Sequence, residues 1–159
     1  MSDPVGSGLV ASTSHPGGNL TGVSTAWDEG RGGKWLELLQ ETIPRLSSVA
    51  VIAHPEDPFS GMAAKQLQAA AQTRGVKLRF IDVREPAQLK PALELARREA
   101  QAVMVVPGPF TNDHREKILA LAATLRLPDL YGVVENAKLG GLMAFGSHEL
   151  LRTAFSNKV

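Results

Sequence analysis

Cysteine is missing from the 159-residue chain. That excludes a disulfide framework, a thiolate metal site and a cysteine nucleophile, and it fits an oxidising or a reducing compartment equally. An excess of either charge is missing as well: Lys and Arg number 17 against 16 Asp and Glu, a net charge of +1. Such a balance gives no electrostatic basis for nucleic acid or anionic membrane as a partner. No apolar run approaches the roughly 20 residues that a membrane span needs. The start, Met1 to Gly8, lacks the basic region and apolar stretch of a signal peptide. Read as a whole protein the chain is expected in the cytoplasm; read as part of a longer one, its start says nothing about export.

The motifs of several chemistries are missing too. The four histidines, His15, His54, His114 and His148, stand far apart, with no His-x-x-x-His or His-Glu-x-x-His spacing to hold a metal. There is no Gly-x-Ser-x-Gly elbow for a nucleophilic serine. The nearest approach to a phosphate-binding loop is Gly32-Gly33-Lys34. Asp28 stands where its first glycine belongs and Trp35 follows the lysine, so the loop could not cradle a phosphate in the usual way. Nothing here amounts to a catalytic constellation or calls for a cofactor.

What is present is a rhythm of apolar runs and helical stripes. Residues 1–24, with Gly6, Gly8, Gly17, Gly18 and Gly22, read as loop or linker with a short strand at Leu20–Ser24. Asn19-Leu20-Thr21 is formally a glycosylation acceptor, without meaning unless the chain is secreted. Trp35, Leu36, Leu38, Leu39 and Ile43 stripe a helix that Pro44 ends. Val49 to Ala53 is a continuous apolar strand suited to burial on both faces. A helix from Gly61 to Arg74 follows, with Ser60 before it and Gly75 as a left-handed C-cap.

The unit then repeats. Lys77–Val83 reads as a strand nearer a sheet edge, followed by a helix whose first-turn proline is Pro86 and which Pro91 could start later. Ala102–Val106 is a third strand, closed by Pro107-Gly108-Pro109; Asn112 or Asp113 is placed to cap the next helix, striped by Ile118, Leu121, Ala122 and Leu125. Pro128–Gly132 is a fourth strand, Val133–Lys138 is irregular, and Gly140–Gly146 is a fifth. A last amphipathic piece covers His148–Phe155. Trp27 and Trp35 are read as core residues. Strands alternating with helices in this way predict an α/β fold: a Rossmann-like, three-layer α/β/α lobe with a mostly parallel sheet.

Ligands of such folds gather at the carboxyl ends of the strands. The loops that qualify are His54–Ser60, Pro107–Asn112 and Val133–Glu135. His54 closes the first buried strand, either as a ligand contact or as a solvent-facing loop residue. Ser60 either caps the helix or joins its free backbone N–H groups in holding a carboxylate. Glu56 and Asp57 read as a solvated acidic pair at the start of that helix.

Several runs carry a resemblance: Asp3–Ser12, His15-Pro-Gly-Gly-Asn-Leu-Thr-Gly-Val-Ser24, Lys34–Leu39, Ile43–Ile52, Leu127-Pro-Asp-Leu-Tyr-Gly132 and Gly140-Gly-Leu-Met-Ala-Phe-Gly146. In order and spacing they resemble the ABC-transporter substrate-binding proteins of the tryptophan/tyrosine-binding, TrpX-like type. The resemblance implies two Rossmann-like lobes joined by crossover strands, with a small solute, such as an amino acid, held between them. It also implies delivery to an ABC permease and its ATPase by the full-length protein, in the periplasm or on an extracytoplasmic lipid anchor. Residues 1–27 then match the end of the first lobe and the crossover, 28–140 the second lobe, and 141–159 the return crossover and the start of a first-lobe helix.

The ligand loops this implies carry His54, Pro55 and Ser60 after the first strand, Gly108 and Pro109 after the third, and Val134 and Glu135 after the fourth. Here His54 stands where the family usually has Asn, and no carboxylate follows the third strand until Asp113. Both departures weigh against an aromatic amino acid, and Glu135 is left to supply negative charge. Two other readings stand beside this one. One is a small flavodoxin-like enzyme or nucleotide-binding domain. The other is a non-functional truncation that dimerises through surface meant for a missing lobe.

Overall fold

The computed structural model describes residues 30–57 and 59–147, together with Gly8, Ala11 and Gly17. The features expected at His15, Asn19, Leu20–Ser24, Trp27 and His148–Phe155 lie outside the described residues. Helix α1 (Arg31–Thr42) leads into β1 (Ser48–Ala53), α2 (Ser60–Arg74) and β2 (Lys77–Asp82). A 3₁₀ turn at Pro86–Gln88 then precedes α3 (Leu89–Glu99) and β3 (Ala102–Val105). After these come α4 (Pro109–Asp113), α5 (Arg115–Thr124), β4 (Asp129–Val133), α6 (Glu135–Lys138) and β5 (Met143–Ser147). The strands form one sheet in the order β2-β1-β3-β4-β5, and every neighbouring pair is parallel.

Parallel strands joined by helical crossovers need cover on both faces, and the pleat supplies it by turning alternate side chains to opposite sides. On one side Val49, Val51, Ala53, Ala102, Met104 and Leu130 pack with Trp35, Leu36 and Leu39 of α1 and Ala63, Leu67 and Ala71 of α2. On the other, Ala50, Ile52, Val103, Val105 and Tyr131 pack with Leu89, Ala92, Leu93 and Ala96 of α3 and Ile118 and Leu119 of α5. The result is the expected three-layer α/β/α lobe. β2 lies at an edge, as its lysine and arginine suggested, and exposes Lys77, Arg79 and Asp82.

Local signals fix several boundaries. Gly75 ends α2 with φ 67°, a left-handed position that costs a glycine little, and its N–H reaches the Ala71 carbonyl. Pro86 opens the 3₁₀ turn, where Glu85 and Gln88 form a reciprocal capping box, and the α-helix proper starts at Leu89. Three expectations need correction. Asn112 and Asp113 cap nothing: both lie inside α4, and the residue before α5 is His114, which makes no side-chain cap. Val133–Lys138 is not irregular, because β4 runs to Val133 and Glu135–Lys138 coil into one helical turn. The fifth strand starts at Met143 rather than Gly140. Leu142 N–H is held by Asp129 at 2.6 Å, and Gly140 sits at φ 111°, which an extended strand cannot use.

Trp35 spans the lobe. Its ring is fully buried, and Nε1–H donates to the Phe145 carbonyl at 2.8 Å, tying α1 to the edge strand β5. Gly132 leaves room for it: a Cβ there would lie 3.1 Å from the Trp35 ring. Replacing Trp35 with Phe leaves that carbonyl without its donor and is expected to destabilise the chain by about 1–3 kcal/mol. Urea denaturation measures this, and a change below about 0.5 kcal/mol would show that the tether is dispensable.

Candidate functional site

Strand order 2-1-3-4-5 makes the chain turn opposite ways from β1 and β3, since α2 crosses one face and α4–α5 the other. At such a switch point the two loops part and leave a crevice at the carboxyl edge of the sheet. Here the loops are His54–Phe59 after β1 and Val106–Gly108 after β3.

The first loop is a tight backbone turn. Asp57 N–H donates to the His54 carbonyl at 3.0 Å, and Ser60 N–H to the Asp57 carbonyl at 3.0 Å. Glu56 N–H approaches His54 Nδ1 at 3.3 Å. Ser60 lies within the helix and its hydroxyl does not cap it: Oγ–H donates back to the His54 carbonyl at 2.6 Å. The capping expectation fails because Phe59 holds the N-cap position, and the turn brings the His54 carbonyl within reach of the Ser60 hydroxyl. Phe59 precedes the helix and no side chain caps it; of the first-turn N–H groups, that of Ser60 is taken by the Asp57 carbonyl.

The second loop is buried and closed on itself. Val106, Pro107 and Gly108 are inaccessible, and Thr111 Oγ1–H donates to the Val106 carbonyl at 2.8 Å, with the Gly108 carbonyl at 3.2 Å. Asn112 N–H returns to the Gly108 carbonyl at 2.9 Å. The two loops meet in a row of rings. His54 and Phe110 lie 5.1 Å apart between centroids, and Phe110 and His114 lie 4.6 Å apart. His114 Nδ1 is 2.9 Å from the Phe110 carbonyl, which can only accept, so that nitrogen carries the proton.

The acidic pair divides. Glu56 is 76% exposed and pairs with Arg84 at 3.1 Å. Asp57 is not the solvated residue expected: its carboxyl folds under the second loop against Gly108. Among the described residues two buried side-chain oxygens have no hydrogen-bond partner, Asp57 Oδ2 and Asn136 Oδ1. Burial pushes the Asp57 carboxyl above its ordinary value; His54 and the Phe110 backbone N–H pull it down, and Asp113 pushes it further up.

The site residues expected from sequence are distributed unevenly. His54 and Ser60 share one carbonyl, and Gly108 joins them through Asp57. Pro55 is half-buried beside His54, while Pro109 is exposed at the start of α4. Val134 and Glu135, both half-buried, stand one strand further along, where Gly132 packs on Pro107. Asp57, Phe110 and His114, which the structure brings beside these residues, were not singled out from the sequence. The i, i+4 spacing of Phe110 and His114 was a usable signal; the fold of the Asp57 side chain onto Gly108 had none. No group of three or more metal-ligating side chains occurs among the described residues. No helix among them is long and apolar enough to cross a membrane.

A family model described as ABC transporter substrate binding protein matches residues 1–150. No curated protein matches the chain. Among solved structures, a conserved domain protein from Vibrio cholerae superposes with a TM-score of 0.78 at 21% identity, covering 91% of this chain and 48% of that one. An ABC domain in complex with L-Trp from Streptococcus pneumoniae gives a TM-score of 0.78 at 19% identity, covering 94% and 50%. The ligand-free, open form of a substrate-binding protein with adhesive properties from Clostridium difficile gives 0.71 at 18%, covering 99% and 56%. At these identities the likeness is one of fold, and the chain spans about half the length of these structures.

Because its folded-state value is raised, the Asp57 carboxyl favours the fold least when ionised. Its penalty is absent well below the ordinary value of 3.8 and develops as the pH rises through the raised one. The Asp57→Asn variant is therefore expected to gain stability relative to the parent as the pH is taken from about 3 to about 7. Urea midpoints across that range measure the gain; a variant whose relative stability stays flat or falls would show that Asp57 is solvated.

Proposed function

We propose, for a chain that belongs to the ABC transporter substrate-binding protein family, that it forms the solute-binding second lobe of such a protein and captures a small molecule non-covalently at the β1/β3 switch point. The observation that carries this reading is that the family match runs through both loops of the crevice, residues 54–60 and 106–114. In this reading residues 1–27 close a first lobe and cross over, 28–140 form the second lobe, and 141–159 return. The solute is an amino acid or a close relative. Its carboxylate would meet the uncapped first turn of α2 beside Ser60. Flat parts of the molecule would lie on the His54 and Phe110 rings. Pro55, Gly108 and Pro109 shape the wall, and Val134 and Glu135 reach it from the β4 loop. The L-Trp complex of the structural relative supports an amino acid as the class to test first.

The chain acts as a binder and not an enzyme, works outside the cytoplasm in the periplasm or on a lipid anchor, and hands its solute to an ABC permease when two lobes close. One lobe supplies one wall of such a cleft, so the 159-residue chain is expected to bind its solute only weakly, with Kd near or above about 1 mM. It also leaves apolar surface: Leu139, Leu142 and Phe145 stand exposed around β5, and self-association of the isolated chain through that surface fits this reading.

Amide NMR with a panel of amino acids tests the proposal. Saturable shifts at residues 59–62 and Phe110 are expected for at least one of them. Shifts confined to other parts of the lobe, or none at millimolar solute, would overturn it. Micromolar affinity measured by calorimetry would overturn the single-wall part alone.

A further inference from the structure

Glycine at position 108 is not demanded by its backbone. Its φ of −171° and ψ of 170° are extended values that any residue adopts. What forbids a side chain there is Asp57: a Cβ built on Gly108 would lie 2.8 Å from the Asp57 Cβ and would overlap its carboxyl group. One loop therefore occupies the side-chain space of the other.

We infer that Asp57 is the positioning residue of this site: its carboxyl, seated where a side chain at 108 would be, locks the loop after β1 to the loop after β3 and holds the His54–Phe110–His114 row in register. The His54–Phe110 ring contact also joins the two sides, but the other polar side chains nearby are spent elsewhere. Glu56 is drawn away to Arg84, the Ser60 hydroxyl is spent on the His54 carbonyl, and the Thr111 hydroxyl on its own loop. The charged and titratable groups facing Asp57 are His54 on its own loop and Asp113 on α4, with the Phe110 backbone N–H donating from the same side. The lock has a cost built into it, because Asp57 Oδ2 is buried without a hydrogen-bond partner. A group kept in that position only for stability would be better replaced by an apolar one. Placement of the loop is what it provides.

A double-mutant cycle tests this without any solute, so its failure leaves the proposed function standing, and the reverse holds too. Gly108→Ala is expected to lower Tm by at least about 2–4 °C in the parent and by much less in an Asp57→Gly background. Ring-proton NMR supplies a second readout. Asp57→Ala is expected to move the His54 and His114 resonances that sense the Phe110 ring, and the equally sized Asp57→Asn to leave them near parent values. If Gly108→Ala fails to fold in the parent but folds in the Asp57→Gly background, the lock is supported. If it fails in both, costs the same in both, or costs nothing in either, the inference is overturned. It is overturned equally if the histidine resonances ignore Asp57→Ala.

Discussion

A parallel strand has to be covered on both faces, and the rest of this lobe depends on how β1 and β3 meet that demand. Their side chains are almost wholly excluded from solvent, with Val49, Ala50, Ile52, Ala102, Val103 and Met104 at 0% exposure. Cover on one face needs α1 and α2, and cover on the other needs α3 and α5. A right-handed crossover can reach the first face only by moving one way along the sheet and the second only by moving the other way. The chain therefore has to reverse between β1 and β3. The crevice at their carboxyl ends is a consequence of burying apolar surface, made before any ligand is considered.

The two ends of the sheet's strands treat carboxylates differently. At the amino edge Asp129 is buried with both oxygens used: Oδ2 accepts from the Tyr131 hydroxyl at 2.8 Å and Oδ1 from Leu142 N–H at 2.6 Å. Burial and that adjacent carboxylate raise the Tyr131 phenol far above its ordinary value, so it stays protonated and keeps donating. At the carboxyl edge Asp57 is half-buried with one oxygen unmet. An unmet buried polar group costs about 1–3 kcal/mol, and among the described residues Asn136 Oδ1 shares that position.

Much of this was legible in the chain, for reasons that can be stated. Continuous apolar runs such as Val49–Ala53 and Ala102–Val105 bury both faces and have no other stable reading at that length. Gly75 and Pro86 act through their own backbone, so their effects travel with the sequence. The edge position of β2 followed from Lys77 and Arg79, which a central strand could not bury. The candidate loops were legible as strand ends, but the arrangement within them was not. Asp57 looked like half of a solvated pair because nothing within four residues of it shows Gly108, which is brought beside it by the sheet. Phe110 found His54 by the same route.

Ser60 shows how a correct local rule loses to a nearer partner, and why that matters for the site. A serine just ahead of a helical stripe is a good N-cap, stabilising by about 1 kcal/mol through one backbone N–H. The His54–Asp57 turn, however, brings a carbonyl of the strand end within 2.6 Å of the hydroxyl. That carbonyl already accepts from Asp57 N–H at 3.0 Å, and its second lone pair takes the hydroxyl, so the strand end is doubly satisfied. The hydroxyl goes to the carbonyl, and no side chain caps the first turn of α2. For the carboxylate proposed above, the room at α2 follows from where Ser60 does not point, as much as from the helix itself.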